Sequence, residues 1–383
     1  MRTKVKLKGG ISLIVLVITI IVMIILAAAI ILSLSNSGII SKANKAKTDS
    51  DTANLKEYVN TLRAEWELMT DAEQSAEGSF EAYANKKLEK SGYKVMLSDD
   101  GVLMNEAATA AVKAGIKVGD TVTGYTVEER AYTTDGSEQS STGVADSAKE
   151  QTVKANANYT WKYIGIDENG SILISPDIPT GVIDDYQVNL SDEGGYLKGP
   201  KMLNVICKEL YTVEGKGEAR SINIDDVINL LEYSGPKGSY VDTSGNLIET
   251  TKPKTIEEAG LSSTLDSNIN TPDGKDIKLY RLDWYSIDKA THANRITDDV
   301  VKQNLVFQGN TYWLASSCVR GRFSIKDLSF GVRNVQRERV TASITLVKVD
   351  YFVRGKGAVR PVVTLNSNVK LTPNADKTEW AIS

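Results

Sequence analysis

The sequence predicts an α+β protein: a long N-terminal transmembrane helix with a small head, followed by a larger mixed α+β domain. Three observations predict it. The segment 11–34, ISLIVLVITIIVMIILAAAIILSL, holds no charged residue. Apolar residues then recur at helical spacing through Leu55, Val59, Leu62, Trp66 and Met69. From Tyr159 onward, short alternating apolar runs bounded by Asp, Asn and Gly dominate, with two helical stretches among them.

The apolar segment comes first in the chain. As a helix it is roughly 36 Å long, enough to cross a hydrocarbon core of ~30 Å with some tilt. Arg2, Lys4, Lys6 and Lys8 precede it. The positive-inside rule therefore expects a single-pass protein of the cell membrane, with Met1 cytoplasmic and Ser35 onward extracellular; the lipid bilayer is its first partner. Three readings of the segment compete: a cleaved signal peptide, a plain signal anchor and a processed leader. A signal peptide has an apolar core of only ~7–15 residues, which argues against the first, although Ala27-Ala28-Ala29 keeps it open.

Past the membrane, the stripe from Leu55 to Met69 steps by four and three residues, which places it on one face of a helix. Residues 79–91 read as a short helix with Ser79 as N-cap and Phe80, Tyr83 and Leu88 on its apolar side. Lys94–Met104 reads as a hairpin whose acidic-Gly turn separates two apolar triplets. Ala107–Gly115 is a short helix or a linker. The expected order is a basic leader at 1–10, the transmembrane helix at 11–34, a helix and small head at 35–116, and a surface domain at 117–383.

Within the last domain, Val118–Val127 alternates like a strand. The stretch 133–158 is rich in Ser, Thr, Asp, Gln and Lys and is expected as an exposed insertion. WKYIGIDENGSILISP reads as two strands about an Asp-Glu-Asn-Gly turn. Gly199–Tyr211 reads as a helix, and a second helix begins at Ser221. Residues 306–315, 330–335, 344–353 and 359–365 read as strands.

The composition narrows the function. There are 45 basic against 49 acidic residues, and four of the basic ones precede the apolar run. The remainder is acidic, which argues against nucleic acid as a partner. Cys207 and Cys318 are the only cysteines, without a CxxC or a His-Cys cluster, so no metal site is expected. In an oxidising compartment the two are candidates for a disulfide, and spacing alone leaves their pairing open.

The basic leader ending in Gly10, followed at once by ISLIVLVITIIV, resembles the type IV pilin and pseudopilin family. The resemblance covers about the first 70 residues. It implies cleavage by prepilin peptidase between Gly10 and Ile11, methylation of the new Ile11 amine, and other pilin-like subunits as partners. Pilins usually carry Glu at the fifth mature position, where this chain has Val15. Pilin-like surface proteins of Gram-positive, clostridia-type bacteria often show the same pattern without that Glu.

TWKYIGIDENGSILIS, EARSINIDDV, TYWLASS, SFGVRNV and GKGAVRPVVTLNSNVKL together resemble bacterial surface domains that follow pilin-like leaders. They are also similar to the C-type-lectin-like fold that includes the formylglycine-generating enzymes. That resemblance implies a lectin-like domain over 118–383, in which the helix bearing Cys207 and the strand bearing Cys318 could pack together. Trp313 is then expected as a core aromatic. Arg360 is expected to be buried against a carboxylate or carbonyls, with Asp225 or Asp226 available to Arg220 or Arg360.

No enzyme signature accompanies these features, so no catalytic residue and no cofactor is expected. The single histidine, His292, lies in a polar stretch with no nucleophile–base–orienter set near it. The formylglycine-generating relatives use a cysteine pair, and only Cys318 falls near the corresponding region. Asp225/Asp226 and Asp298/Asp299 fit helix starts better than acid–base chemistry. The calcium-dependent sugar motifs of lectins are absent. Arg320, Arg322, Phe323, Arg333 and Arg337 make a basic, aromatic stretch suited to cell-wall or host glycans or proteins. The expected function is an adhesin-like, non-catalytic recognition module on a membrane-anchored protein. The alternative is a minor pseudopilin of a pilus or secretion filament.

Overall fold

A computed structural model describes residues 54–92, 94–99, 101–134, 150–177, 187–235, 237–241, 247–250, 254–255, 281–282, 285–307, 311–322, 324–341, 345–348, 351–352 and 354–383. The chain divides into two compact units, Met1–Ser91 and Gly92–Ser383.

The described part of the first unit is helical. Residues 54–67 form one helix, with Leu55 and Leu62 buried on the stripe the sequence marks. Trp66 from this helix packs against Phe80 and Tyr83 at ring separations of 6.3 and 5.7 Å. Both of those rings belong to the helix Phe80–Lys90, whose N-cap Ser79 accepts from the Ala82 N–H. The helix Asp71–Glu77 lies between them and opens with a capping box of Thr70 and Glu73.

The second unit is built on two sheets. A seven-stranded sheet runs in the order Leu371–Pro373, Glu379–Ile382, Thr121–Thr123, Trp161–Ile166, Ile172–Pro176, Pro361–Leu365, Gly217–Ser221. Its pairs are antiparallel except that Glu379–Ile382 runs parallel to Thr121–Thr123. An eight-stranded sheet runs Ile287–Asp288, Arg339–Thr341, Ser324–Gln336, Tyr312–Arg322, Arg354–Ala358, Gln187–Ser191, with Thr345–Lys348 and Tyr351–Phe352 added beside Ser324–Gln336.

The chain crosses directly from one sheet to the other around Arg360. Arg354–Ala358 ends in the eight-stranded sheet, and Pro361 starts a strand of the seven-stranded one. The strand expected over 359–365 therefore starts two residues later, at Pro361. Proline lacks an N–H and tolerates only the start or edge of a ladder, which suits the first residue after such a crossing.

The helix Asp192–Tyr211 packs on both sheets and buries Met202, Leu203, Ile206, Cys207 and Leu210. It starts earlier than the expected Gly199 and holds Pro200 in its interior. Pro200 offers no N–H to the Tyr196 carbonyl one turn back. The Ser317 hydroxyl stands 3.5 Å from that carbonyl and supplies a donor. At the other end, Arg130 donates to the Leu210 and Thr212 carbonyls at 2.8 and 2.7 Å, and the Tyr125 hydroxyl donates to Tyr211 at 2.8 Å. The last carbonyls of the helix are thus satisfied from outside it.

The hairpin Val95–Leu97/Leu103–Asn105 and the helix Glu106–Ala114, grouped in the sequence with the small head, contribute Met104, Ala107, Ala108 and Ala111 to the core around Trp161.

Several expectations are corrected. The fold is mixed α+β with several sheets, and among the described residues no helix is long and apolar enough to cross a membrane. The expected architecture of a transmembrane, pilin-like helix leading to a lectin-like domain is replaced by this one; residues 11–34, with Gly10, lie outside the described residues. The second helix starts at Ile224 rather than Ser221, because Asn223 and Asp226 form a capping box and Ser221 stays in its strand. Residues 300–307 are helical, so the strand expected from Val306 begins at Tyr312. The polar stretch 133–158 contains the strand Thr152–Lys154, paired with Ala131–Thr133, and Val153 is buried.

Candidate functional site

Three arginines organise the second unit, and each uses its guanidinium differently. Arg360 is fully buried at the crossing between the sheets. Its Nε donates to the Ser175 hydroxyl at 3.1 Å and its Nη2 to the Pro176 carbonyl at 3.3 Å, both in the seven-stranded sheet. Its Nη1 donates to the Leu305 carbonyl at 2.5 Å and the Tyr312 hydroxyl at 3.1 Å. The Tyr312 hydroxyl in turn donates to the Val306 carbonyl at 2.9 Å. Leu305 and Val306 lie in the last turn of Val300–Phe307, where the helix dipole is negative and cations are favoured. Every acceptor is neutral, so the helix end and the carbonyls stabilise this charge in place of a carboxylate.

Arg220 takes the carboxylate instead. Its two Nη atoms each meet one oxygen of Asp226 at 2.6 Å, a bidentate pair. Asp226 also accepts from the Asn223 N–H at 2.8 Å, so the ion pair and the helix cap share one carboxylate. This fixes the start of Ile224–Leu231 against the strand Gly217–Ser221.

Arg333 is completely buried in Ser324–Gln336. Its Nη1 donates to the Tyr285 carbonyl at 2.8 Å, and its guanidinium lies 4.2 Å from the centre of the Tyr285 ring. Tyr285 stacks on Tyr233 at 6.2 Å with the rings within 3° of parallel, and Tyr233 meets the His292 ring edge-on at 6.1 Å. The only histidine thus ends a column of rings. Its Nδ1 accepts from the Asp288 N–H at 3.1 Å.

The remaining predicted residues fall apart in space. Arg333 does not belong to a surface patch, because its side chain is interior. Arg337 is exposed, in the turn between Ser324–Gln336 and Arg339–Thr341, with φ 51°. Arg320 and Arg322 are register partners of Ser329 and Ser324. Ser329 precedes Arg337 by a strand run of about 26 Å at ~3.3 Å per residue, too far for one small ligand to reach both. Phe323 lies outside the described residues.

Trp313 is fully buried and its indole N–H donates to the Val188 carbonyl at 2.9 Å. Gly357 makes room for it, since a Cβ there would stand 3.1 Å from the indole. Cys207 and Cys318 are both buried and no disulfide joins them. Burial pushes the Cys207 thiol up, which keeps it protonated and a poor nucleophile. Among the described residues, no group of three or more His, Cys, Asp or Glu side chains is placed to hold a metal ion.

No local pattern points to Tyr285, Ser175 or Leu305 as partners of these arginines. Tyr285 and Arg333 are 48 residues apart, and Ser175 and Arg360 are 185 apart. Asn223 with Asp226 did carry a local signal, the Asn-x-x-Asp spacing of an N-cap. No known family, no curated protein and no solved structure matches this chain.

Proposed function

We propose that this chain is a surface-displayed protein held at a membrane through its apolar segment 11–34, and that the unit 92–383 is a non-catalytic recognition module. The observation that carries the reading is how the reactive side chains are used. Arg220, Arg333 and Arg360 are engaged in contacts within the scaffold, and both cysteines are buried in it. The long strand pair Tyr312–Arg322/Ser324–Gln336 carries Arg320 and Arg322 in sequence toward one end, and the exposed Arg337 follows at the other. Cationic positions spread along a strand pair suit an extended anionic polymer of the cell wall or a host glycan better than a compact ligand.

A second reading, a minor subunit of a pilus-like or secretion filament, is favoured by Gly10 followed directly by the apolar run. Val15 in place of the usual Glu weighs against it, because a buried mature amine would lack its carboxylate.

Four measurements test both. Carbonate-washed membranes should retain the chain, and external protease should remove the 92–383 unit from intact cells. Full-length protein in detergent should be held by purified anionic wall polymer in a salt-dependent way, and Arg320→Ala/Arg322→Ala should weaken retention. Recovery in the soluble cytosolic fraction would overturn the membrane reading, and no retention on wall polymers or host glycans would overturn recognition. An N-terminus at Ile11 would favour the filament reading, and one at Met1 would remove it.

A further inference from the structure

Asn169–Gly170 is the only Asn-Gly pair in the sequence. Asparagine before glycine is the pair most open to spontaneous deamidation, because no side chain shields the following nitrogen. Water is the only co-reactant. The Gly170 nitrogen gives its proton to a base in solution and bonds to Cγ of Asn169. The Asn169 side-chain nitrogen takes up a proton and leaves as ammonia, and a cyclic imide remains. Water then opens the ring at either carbonyl. The product at position 169 is aspartate or isoaspartate, the latter with an extra carbon in the main chain.

The fold both presents and restrains this pair. Asn169 is exposed and Gly170 is buried. The Gly170 N–H donates to the Asp167 carbonyl at 3.0 Å, so the attacking nitrogen is engaged while the turn stays closed. Asp167 also holds the rest of the turn. Its Oδ1 accepts from the Asn169 and Ser171 N–H groups, each at 2.9 Å, and its N–H donates to the Ser171 carbonyl at 2.9 Å. Asn105 fastens the turn from outside. Its N–H donates to the Gly170 carbonyl at 2.8 Å, and its carboxamide donates to the Ser171 hydroxyl at 3.2 Å. There is no slack at this contact: a Cβ on Gly170 would stand 2.9 Å from the Asn105 nitrogen and 3.0 Å from the Leu103 carbonyl oxygen.

We propose that Asn169 is a site of slow covalent modification, that the Asn105–Gly170 contact gates it, and that the isoaspartate product unfastens the hairpin Val95–Leu97/Leu103–Asn105 from this turn. The gate follows from the hydrogen bonds, since the Gly170 nitrogen must leave the Asp167 carbonyl before it can attack. The release follows from space and charge. Isoaspartate lengthens the main chain immediately before Gly170, where the backbone of 103–105 already closes the space. It also places a carboxylate beside Asp167 and Glu168. The fraction of released hairpin then records the age of the chain.

The test incubates the full-length chain in detergent micelles at mildly alkaline pH and follows Asn169 by peptide mass spectrometry. Conversion should be at least about tenfold slower than in a peptide of residues 162–176. Asn105→Ala should speed it roughly tenfold, the effect of one lost cap on a local opening. Ser171→Ala removes only the partner of the Asn105 carboxamide, and its rate should fall between the two. Arg360→Met weakens the second unit elsewhere and should leave the rate near that of the native chain. Asn169→Gln should abolish the mass change. The converted chain, separated by its added charge, should exchange the Asn105 amide proton at least about tenfold faster, with the Ile174 amide unchanged. Equal conversion in chain and peptide overturns the gate, as does equal acceleration by Asn105→Ala and Arg360→Met. An unchanged Asn105 amide in the converted chain overturns the release.

Discussion

The backbone N–H of Asn105 donates to the carbonyl of Gly170 at 2.8 Å, joining the small hairpin to the turn that connects the first two long strands of the seven-stranded sheet. The side chain of Asn105 adds two more ties. Its Oδ1 caps the helix Glu106–Ala114 through the Ala108 N–H at 2.8 Å, and its Nδ2 donates to the Ser171 hydroxyl at 3.2 Å. Gly170 has φ +82°, and a Cβ there would stand 2.9 Å from the Asn105 nitrogen. Both the backbone angle and the space require glycine. Gly170→Ala should therefore lower stability by roughly 1–3 kcal/mol, and Asn105→Ala by about 1–2 kcal/mol through the lost cap. Thermal unfolding of the two single variants and the double variant checks this. The double should fall short of the sum, because both disturb one contact.

Removing Arg360 should be among the most damaging single changes in the second unit. Arg360→Met keeps much of the volume but leaves the Leu305 and Pro176 carbonyls and the Tyr312 hydroxyl without their buried donor. The expected loss is roughly 2–5 kcal/mol by chemical denaturation. Arg360→Lys should recover only part of it. A single ammonium cannot span acceptors from Ser175 to Leu305 as a planar fork does. Stability within about 0.5 kcal/mol of the native chain for Arg360→Met would show that the crossing does not depend on this charge.

Some of this was legible in the sequence, and the residues show where legibility stops. The 54–67 stripe, the Ser79 cap, the Val95–Asn105 hairpin and the two strands about Asp167–Gly170 all depend on neighbours within a dozen residues, where period and turn chemistry are informative. The start of Tyr312–Arg322 is hidden in the sequence because Val306 and Phe307, β-branched and aromatic, look like strand residues and are carried in a helix by tertiary packing. Arg333 looks like a surface cation in the sequence because alternation in a strand cannot tell a solvent face from one covered by another element. Tyr285 covers it from 48 residues away.

The Arg220–Asp226 pair should show strong coupling. Arg220 is one-third exposed and Asp226 is buried, so removing the arginine strands a carboxylate that still caps its helix. Arg220→Ala and Asp226→Asn should each destabilise, and a double-mutant cycle should return a coupling of about 1–3 kcal/mol. A coupling near zero would mean that the helix cap alone stabilises this carboxylate.

Acid should loosen the 285–297 region in a defined direction. The Arg339 guanidinium holds the Asp288 carboxyl below its ordinary value, helped by the Thr291 and Ala290 N–H groups. A depressed carboxylate contributes stability above its unfolded value, ~3.9, and that contribution disappears as pH falls through the lower folded value. Arg339 is largely exposed, so screening limits the pair to about 0.2–1 kcal/mol. Arg339→Ala should therefore be less stable than the native chain by that amount near neutral pH, and the two unfolding curves should converge as pH falls through the lower folded value. A difference that stays constant across this range would assign the effect to packing of the arginine stem rather than to charge.

The burial of Cys207 and Cys318, with no disulfide between them, gives a last measurable consequence. Both thiols are interior, and burial keeps that of Cys207 protonated, so neither thiolate formation nor reagent access is favoured. A small maleimide should label neither residue in the native chain over a time in which both label fully in denaturant. Electrophoretic mobility should be the same with and without reductant. Labelling protection then becomes a probe of the core itself. The variants at Gly170 and Arg360 should speed labelling in proportion to their loss of stability, because access requires the same opening. Fast labelling of the native chain at either cysteine would instead mean that the packing around the Asp192–Tyr211 helix opens without global unfolding.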